Sequence, residues 1–124
     1  MNRPIFLRCL LSVACLLPLL ALTACRSSHV QITIENRTGA AVQLLEVDYP
    51  SASFGADQIA AGADFHYRIQ VQGSSPVKIS YTAPGAKQFQ ATGPELADHA
   101  QGSLTIVLLP GGEVEFHPNF SVKQ

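Results

Sequence analysis

From Val30 onward, apolar and polar side chains alternate along the chain with a period of two. Val30, Ile32 and Ile34 interleave with Gln31, Thr33 and Glu35, the mark of a strand with one buried face. After a turn at Asn36-Arg37-Thr38-Gly39, where Asn and Gly supply left-handed geometry, a second strand carries Val42, Leu44, Leu45, Val47 and Tyr49. Its phase slips between Leu44 and Leu45, which predicts a β-bulge. The clearest alternation follows: Phe65, Tyr67, Ile69 and Val71 on one face, Asp64, His66, Arg68, Gln70 and Gln72 on the other. Gly73-Ser74-Ser75-Pro76 turns the chain into Val77, Ile79 and Tyr81. Ala83-Pro84-Gly85 turns it again toward a short strand at Phe89. Ser103 to Leu109 is strongly β-prone, and Pro110-Gly111-Gly112 hairpins it to Val114 and Phe116.

Two stretches lack periodicity. Pro50 to Ala63 reads as a loop with one helical turn near Gln58, and Gly93 to Gly102 as a second loop with a helical turn at Pro94-Glu95-Leu96. The pattern therefore predicts an all-β fold of about seven short antiparallel strands, with turn signals at roughly 8–12-residue spacing, as in a sandwich or small barrel. This layout resembles an immunoglobulin-like or fibronectin-type sandwich. It lacks the Cys…Trp…Cys core of true immunoglobulin domains, having no tryptophan, so the resemblance is architectural and implies no activity.

Residues 1–24 follow a different rule. Arg3 and Arg8 form a basic start, and an apolar run from Cys9 to Ala21 follows, broken by Ser12 and Pro18. This is the layout of a signal peptide, preceding the folded domain and excluded from it. Extended to Cys25 the run reaches 17 residues, the lower limit for crossing a bilayer. Leu22-Thr23-Ala24-Cys25 then resembles the lipobox of bacterial lipoproteins: a branched apolar residue, two small ones and the cysteine. The chemistry explains the pattern, since a peptidase in the membrane needs small side chains beside the cut and lipid transfer needs a thiol nucleophile. The resemblance implies Leu22, Thr23 and Ala24 as recognition residues and Cys25 as the lipidated one. It further implies cleavage before Cys25 and two or three acyl chains, enough for stable anchoring where one chain gives only marginal binding. Arg26 stands where aspartate would typically retain a lipoprotein in the inner membrane, so a Gram-negative host implies the outer membrane. The resulting division is a signal peptide over 1–24, a lipidated tether over 25–28, a sandwich over 29–118 and a flexible tail over 119–124.

Charge narrows the partners. The chain holds 8 basic and 9 acidic side chains. Losing Arg3 and Arg8 with the leader leaves 6 against 9, a net −3. A nucleic-acid partner requires a basic stripe, so none is expected, and electrostatic docking on anionic lipid is equally disfavoured. All 3 cysteines, Cys9, Cys15 and Cys25, fall in the leader or at its end, so the domain is held by packing without disulfides.

Catalytic signatures are missing from the sequence. His29, His66, His99 and His117 are scattered, with no i, i+2 pair, so no metal site is expected. No Gly-x-Ser-x-Gly elbow occurs, and the glycines at Gly55, Gly62 and Gly111-Gly112 form no phosphate loop. Glu113 and Glu115 share one strand face, where they discourage edge pairing. Asn36-Arg37-Thr38 fits the glycosylation sequon in form only.

Val107 and Leu109 make the strand over Ser103 to Leu109 apolar on both faces. Either the Gly93 to Gly102 segment covers them, or they form a partner patch. Tyr49 and Phe54 form a second candidate patch, with Phe54 in the core as the alternative. The expectation is a non-enzymatic envelope lipoprotein whose sandwich serves an interaction or structural role. Its partners are the membrane, through the lipid on Cys25, and an envelope protein; it uses no cofactor. The alternative is a small-ligand-binding lipoprotein of a transport or surface system, with an envelope enzyme third.

Overall fold

A computed structural model describes residues 28–122; the leader, the lipobox and Cys25 lie outside them. Eight strands form: β1 (Val30–Asn36), β2 (Val42–Tyr49), β3 (Ala52–Ile59), β4 (Asp64–Ile69), β5 (Ser75–Ala83), β6 (Lys87–Leu96), β7 (Ala100–Leu108) and β8 (Val114–Val122). They pair into two four-stranded sheets, β4-β1-β7-β8 and β3-β2-β5-β6. All pairings are antiparallel except β1 with β7. The fold is a β-sandwich. Its connectivity differs from the immunoglobulin order, in which the first two strands share a sheet, because β1 and β2 here lie in different sheets.

Alternation decides which side chains go inside. Val30, Ile32 and Ile34 of β1 meet Leu104, Ile106 and Leu108 of β7 on the inner face of one sheet. Val42, Leu45, Val47, Val77, Ile79 and Tyr81 line the other, and all are buried. The predicted bulge is present. Leu44 takes φ 50, and the register of β2 against β5 shifts between Gln43 and Glu46. The pairing of β2 with β3 keeps step across the same point. Buried positions in β3 likewise skip from Phe54 to Ile59, so both hairpin strands change phase together. Leu45 enters the core and Leu44 is turned out, 68% exposed.

Three expectations are corrected. Residues 52–59 are strand β3 in place of a loop; Ala, Ser, Gly and Asp hide its alternation, and pairing with β2 supplies what propensity does not. The Gly93 to Gly102 segment belongs to β6, a short connection and β7. Its Leu96 and Ala100 are buried at the end of β7 remote from Val107, so it does not cover that residue. The chain beyond Pro118 remains in β8 to Val122. Proline is tolerated there because β8 is an edge strand, with a free side that needs no amide donor.

The sandwich has two open sides, each closed by aromatic rings. Between the edge strands β3 and β4, Phe54 stacks on Tyr67 with centroids 4.4 Å apart and on Phe65 at 6.4 Å. On the opposite side β6 and β8 meet, and the Phe116 ring occupies the space over Gly93, where a Cβ would come within 2.5 Å of it.

Asn36 ties the two sheets together. It is fully buried, and its side-chain Nδ2 donates to the carbonyls of Ala40 (2.8 Å), Ile59 (3.0 Å) and Ala60 (3.1 Å). Its Oδ1 accepts from the Thr38 amide (3.1 Å) and the Thr38 hydroxyl (2.7 Å). Its backbone also bonds Ala63 and Gly62. The sequence-level expectation of left-handed geometry at Asn36 is not met; Gly39 alone supplies it, at φ 88. Replacing Asn36 with alanine removes the donor to the Ala40, Ile59 and Ala60 carbonyls and the acceptor of the Thr38 amide and hydroxyl, and is expected to lower the unfolding free energy by about 2–4 kcal/mol in urea titration. A loss below about 0.5 kcal/mol would show that the turn holds without the amide.

Candidate functional site

The strand directions sort the connections into two groups. The β1–β2, β3–β4, β5–β6 and β7–β8 turns lie at one end of the sandwich. The β2–β3, β4–β5 and β6–β7 turns lie at the other, together with Ser28 and Val122. The four-turn end holds a cleft of about 220 Å³ between the β5–β6 and β7–β8 turns. Tyr81 contributes to its floor, Phe89, Leu109 and Pro110 to its walls, and Thr38 and Lys87 also line it. A broader depression of about 450 Å³ lies on the other flank of the β5–β6 turn and shares Ala83 and Pro84 with the cleft. The β7–β8 connection is a short 3-10 turn over Pro110–Gly112. Gly112 is required there because the Phe89 ring would lie 2.3 Å from any Cβ at that position.

Tyr81 is unusual within this core. It is 2% exposed, its ring sits 5.7 Å from that of Phe89, and its hydroxyl has no hydrogen-bond partner among the described residues. A buried tyrosine hydroxyl normally finds one. Burial pushes its pKa above the ordinary 10.0, because the phenolate would be charged in an apolar setting. Tyr49 is shifted the same way, by burial first and then by Tyr67.

The sequence-predicted patch residues do not gather into one surface. Val107 lies on the outer face between Glu35 of β1 and Glu115 of β8, half-buried. Leu109 leaves β7 and joins the wall of the cleft. Tyr49 and Phe54 do come together, with ring centroids 6.1 Å apart, but Phe54 is in the core at 7% exposure. Among the described residues, the large apolar side chains that stand exposed are Leu44 and Tyr67. Leu44 was legible in the phase slip beside Leu45. Tyr67 follows its alternation toward the inner face but stands 43% exposed, because β4 is an edge strand.

On the outer face of the β4-β1-β7-β8 sheet, the register sets His66, Thr33, Thr105 and His117 in one row across the strands. The two histidines are three strand spacings apart, roughly 14 Å. His66 Nδ1 contacts the Thr33 hydroxyl (3.1 Å), and Arg68 donates to His29 Nδ1 (3.1 Å). His99 lies beside Asp98 (3.2 Å) and His117 beside Glu115 (3.3 Å). Among the described residues no three His, Cys, Asp or Glu side chains are grouped to hold a metal ion. In the adjacent row Glu35 and Asp64 face each other across β1 and β4. Like charges so placed destabilise a strand pair, and Arg37 relieves this by donating to both, at 2.8 and 3.0 Å. The buried, fully bonded Asn36 side chain is inaccessible as a glycosylation acceptor.

No protein-family model matches the chain, and no curated protein does. An NMR structure of a protein from Eubacterium rectale superimposes on it with a TM-score of 0.55 at 12% sequence identity. The match covers 73% of this chain and 87% of the other. At that identity the likeness is one of fold alone.

Two measurements test this description. With Tyr81 held protonated in the folded chain and free to ionise at its ordinary value when unfolded, the unfolded state loses that proton first. Stability is then full below pH 10 and falls above it, and Tyr81→Phe should flatten the decline in urea titrations from about pH 9 to 11. Leu44→Gly removes an exposed side chain from a left-handed backbone position. It should raise stability by about 0.5–1 kcal/mol; a loss of similar size would mean that the leucine packs against the fold.

Proposed function

We propose that this protein is a lipid-anchored component of the bacterial cell envelope, held at the membrane through Cys25, whose sandwich is a non-enzymatic interaction module. The observation that carries the reading is Leu22-Thr23-Ala24-Cys25, following directly on a basic start and a leucine-rich apolar run. Under this reading the lipid chains supply the membrane affinity, at about 0.8 kcal/mol for each buried methylene, and the domain need present no basic surface. In a Gram-negative host, Arg26 after the cysteine favours the outer membrane.

The fold agrees with such an arrangement. Ser28 lies three residues after Cys25, a span of about 10 Å at full extension, and at the end of the sandwich opposite the four turns. A domain tethered this closely keeps its near end against the lipid and offers its four-turn end and outer faces to a partner. The envelope partner would meet the turns that carry Thr38, Ala63, Pro84 and Pro110. The polar row of Thr33, His66, Thr105 and His117 presents a second, flatter face.

Mass spectrometry of the N-terminal peptide from purified mature protein tests the anchor. The expected species is a diacylated or triacylated cysteine at residue 25, and Cys25→Ser should shift the protein from the membrane fraction to precursor or soluble fractions. Recovery of mature protein that begins at Met1, or at an unmodified residue and in the soluble fraction, would refute the reading.

A further inference from the structure

The Tyr81 hydroxyl is poorly explained by packing. Phenylalanine would fill the same space beside Phe89 without burying a hydroxyl that nothing among the described residues satisfies, and an unpaired buried hydroxyl is costly. The neighbouring Thr38 hydroxyl does not relieve it, because that group is engaged by Asn36 and Ala40. Tyr81 also lines the cleft at the four-turn end.

The character of the cleft limits what fits there. Phe89, Leu109 and Pro110 make its walls apolar, Lys87 brings a positive charge, and among the described residues no carboxylate lines it, although acidic side chains outnumber basic ones from Cys25 onward. Its volume of about 220 Å³ lies below the roughly 300–1,000 Å³ usual for drug-sized ligands, which restricts an occupant to a single ring or a short branched chain.

We propose that this cleft binds a small carboxylate with an aromatic or branched apolar body, its acid group accepting a hydrogen bond from the Tyr81 hydroxyl and pairing with the Lys87 ammonium. An ionised acceptor is the partner that best repays a buried donor, because hydrogen bonds to charged groups are about twice as strong as neutral ones. The Tyr81 hydroxyl oxygen is buried, so the ligand reaches it only when the cleft lining opens, and in this proposal the segment that opens is the Pro110–Gly112 turn. That turn has no buried residue, and both its glycines stand at positive φ. The site is at the opposite end from Ser28 and does not depend on the lipid anchor.

The test is an NMR titration of the isotope-labelled full chain in detergent, with phenylacetate as the probe and 2-phenylacetamide as its uncharged counterpart. Phenylacetate should shift the amides of Ala86, Lys87, Gly111 and Gly112 saturably, with the amide counterpart about tenfold weaker. Tyr81→Phe should weaken phenylacetate binding by about tenfold while raising the Tm of the free protein by a few degrees. Lys87→Gln should weaken binding without moving the Tm. The proposal is overturned by the absence of saturable shifts at these turns up to about 10 mM, by equal response to the two probes, or by a Tm that falls in Tyr81→Phe.

Discussion

Eight strands without a disulfide form this sandwich, and the chain must cross between sheets at both of its ends. At the four-turn end two of those crossings, β1 to β2 and β3 to β4, run side by side and bring the carbonyls of Ala40, Ile59 and Ala60 around the Asn36 side chain. Asn36 joins the two turns with one side chain. It ends β1 in one sheet, while its amide donates to Ile59 and Ala60, where β3 ends in the other, and to Ala40 just before β2. Two amide hydrogens serve three carbonyls, so one is shared, as is common where backbone turns converge. The hydrophobic core drives the sheets together without direction; the Asn36 network fixes which loop ends meet.

Closure of the two open sides follows a different logic. On one side Phe54, Phe65 and Tyr67 stack between the edge strands, and on the other Phe116 fits over Gly93. Rings suit this task because they bury large areas with few rotatable bonds. An edge strand cannot cover itself fully, however, and Tyr67 remains partly in water. The edges are guarded chemically: Pro118 and Glu115 in β8, Pro94 in β6, and the charged outer face of the short β4 all discourage pairing with another chain.

The two ends of the sandwich differ in what they carry. Both limits of the described chain, Ser28 and Val122, share one end, while four turns, the Asn36 network and the Tyr81 cleft share the other. The Asn36 network therefore lies beside the cleft, which Thr38 and Ala40 line. Its β1–β2 side is held by Asn36 and Thr38, whereas the facing β7–β8 turn is closed by the bond from the Leu109 amide to the Glu113 carbonyl and contains no buried residue.

The sequence by itself determined the strands that alternate strongly, the bulge at Leu44-Leu45, the turn glycine at Gly39 and the absence of disulfides from the domain, because these depend on neighbours a few residues apart. It also supplied the lipobox reading, which rests on consecutive residues. Only the tertiary structure decided that residues 52–59 are a strand, since their small and polar side chains become β by pairing with β2. It decided too that β1 lies parallel to β7, that Leu109 and Val107 part company at the strand's end, and that Asn36 is a buried hub where the sequence suggested an ordinary turn residue. The Tyr81 cleft was illegible for the same reason: alternation assigns a tyrosine to the inner face, but whether its hydroxyl finds a partner depends on atoms brought there by distant parts of the chain.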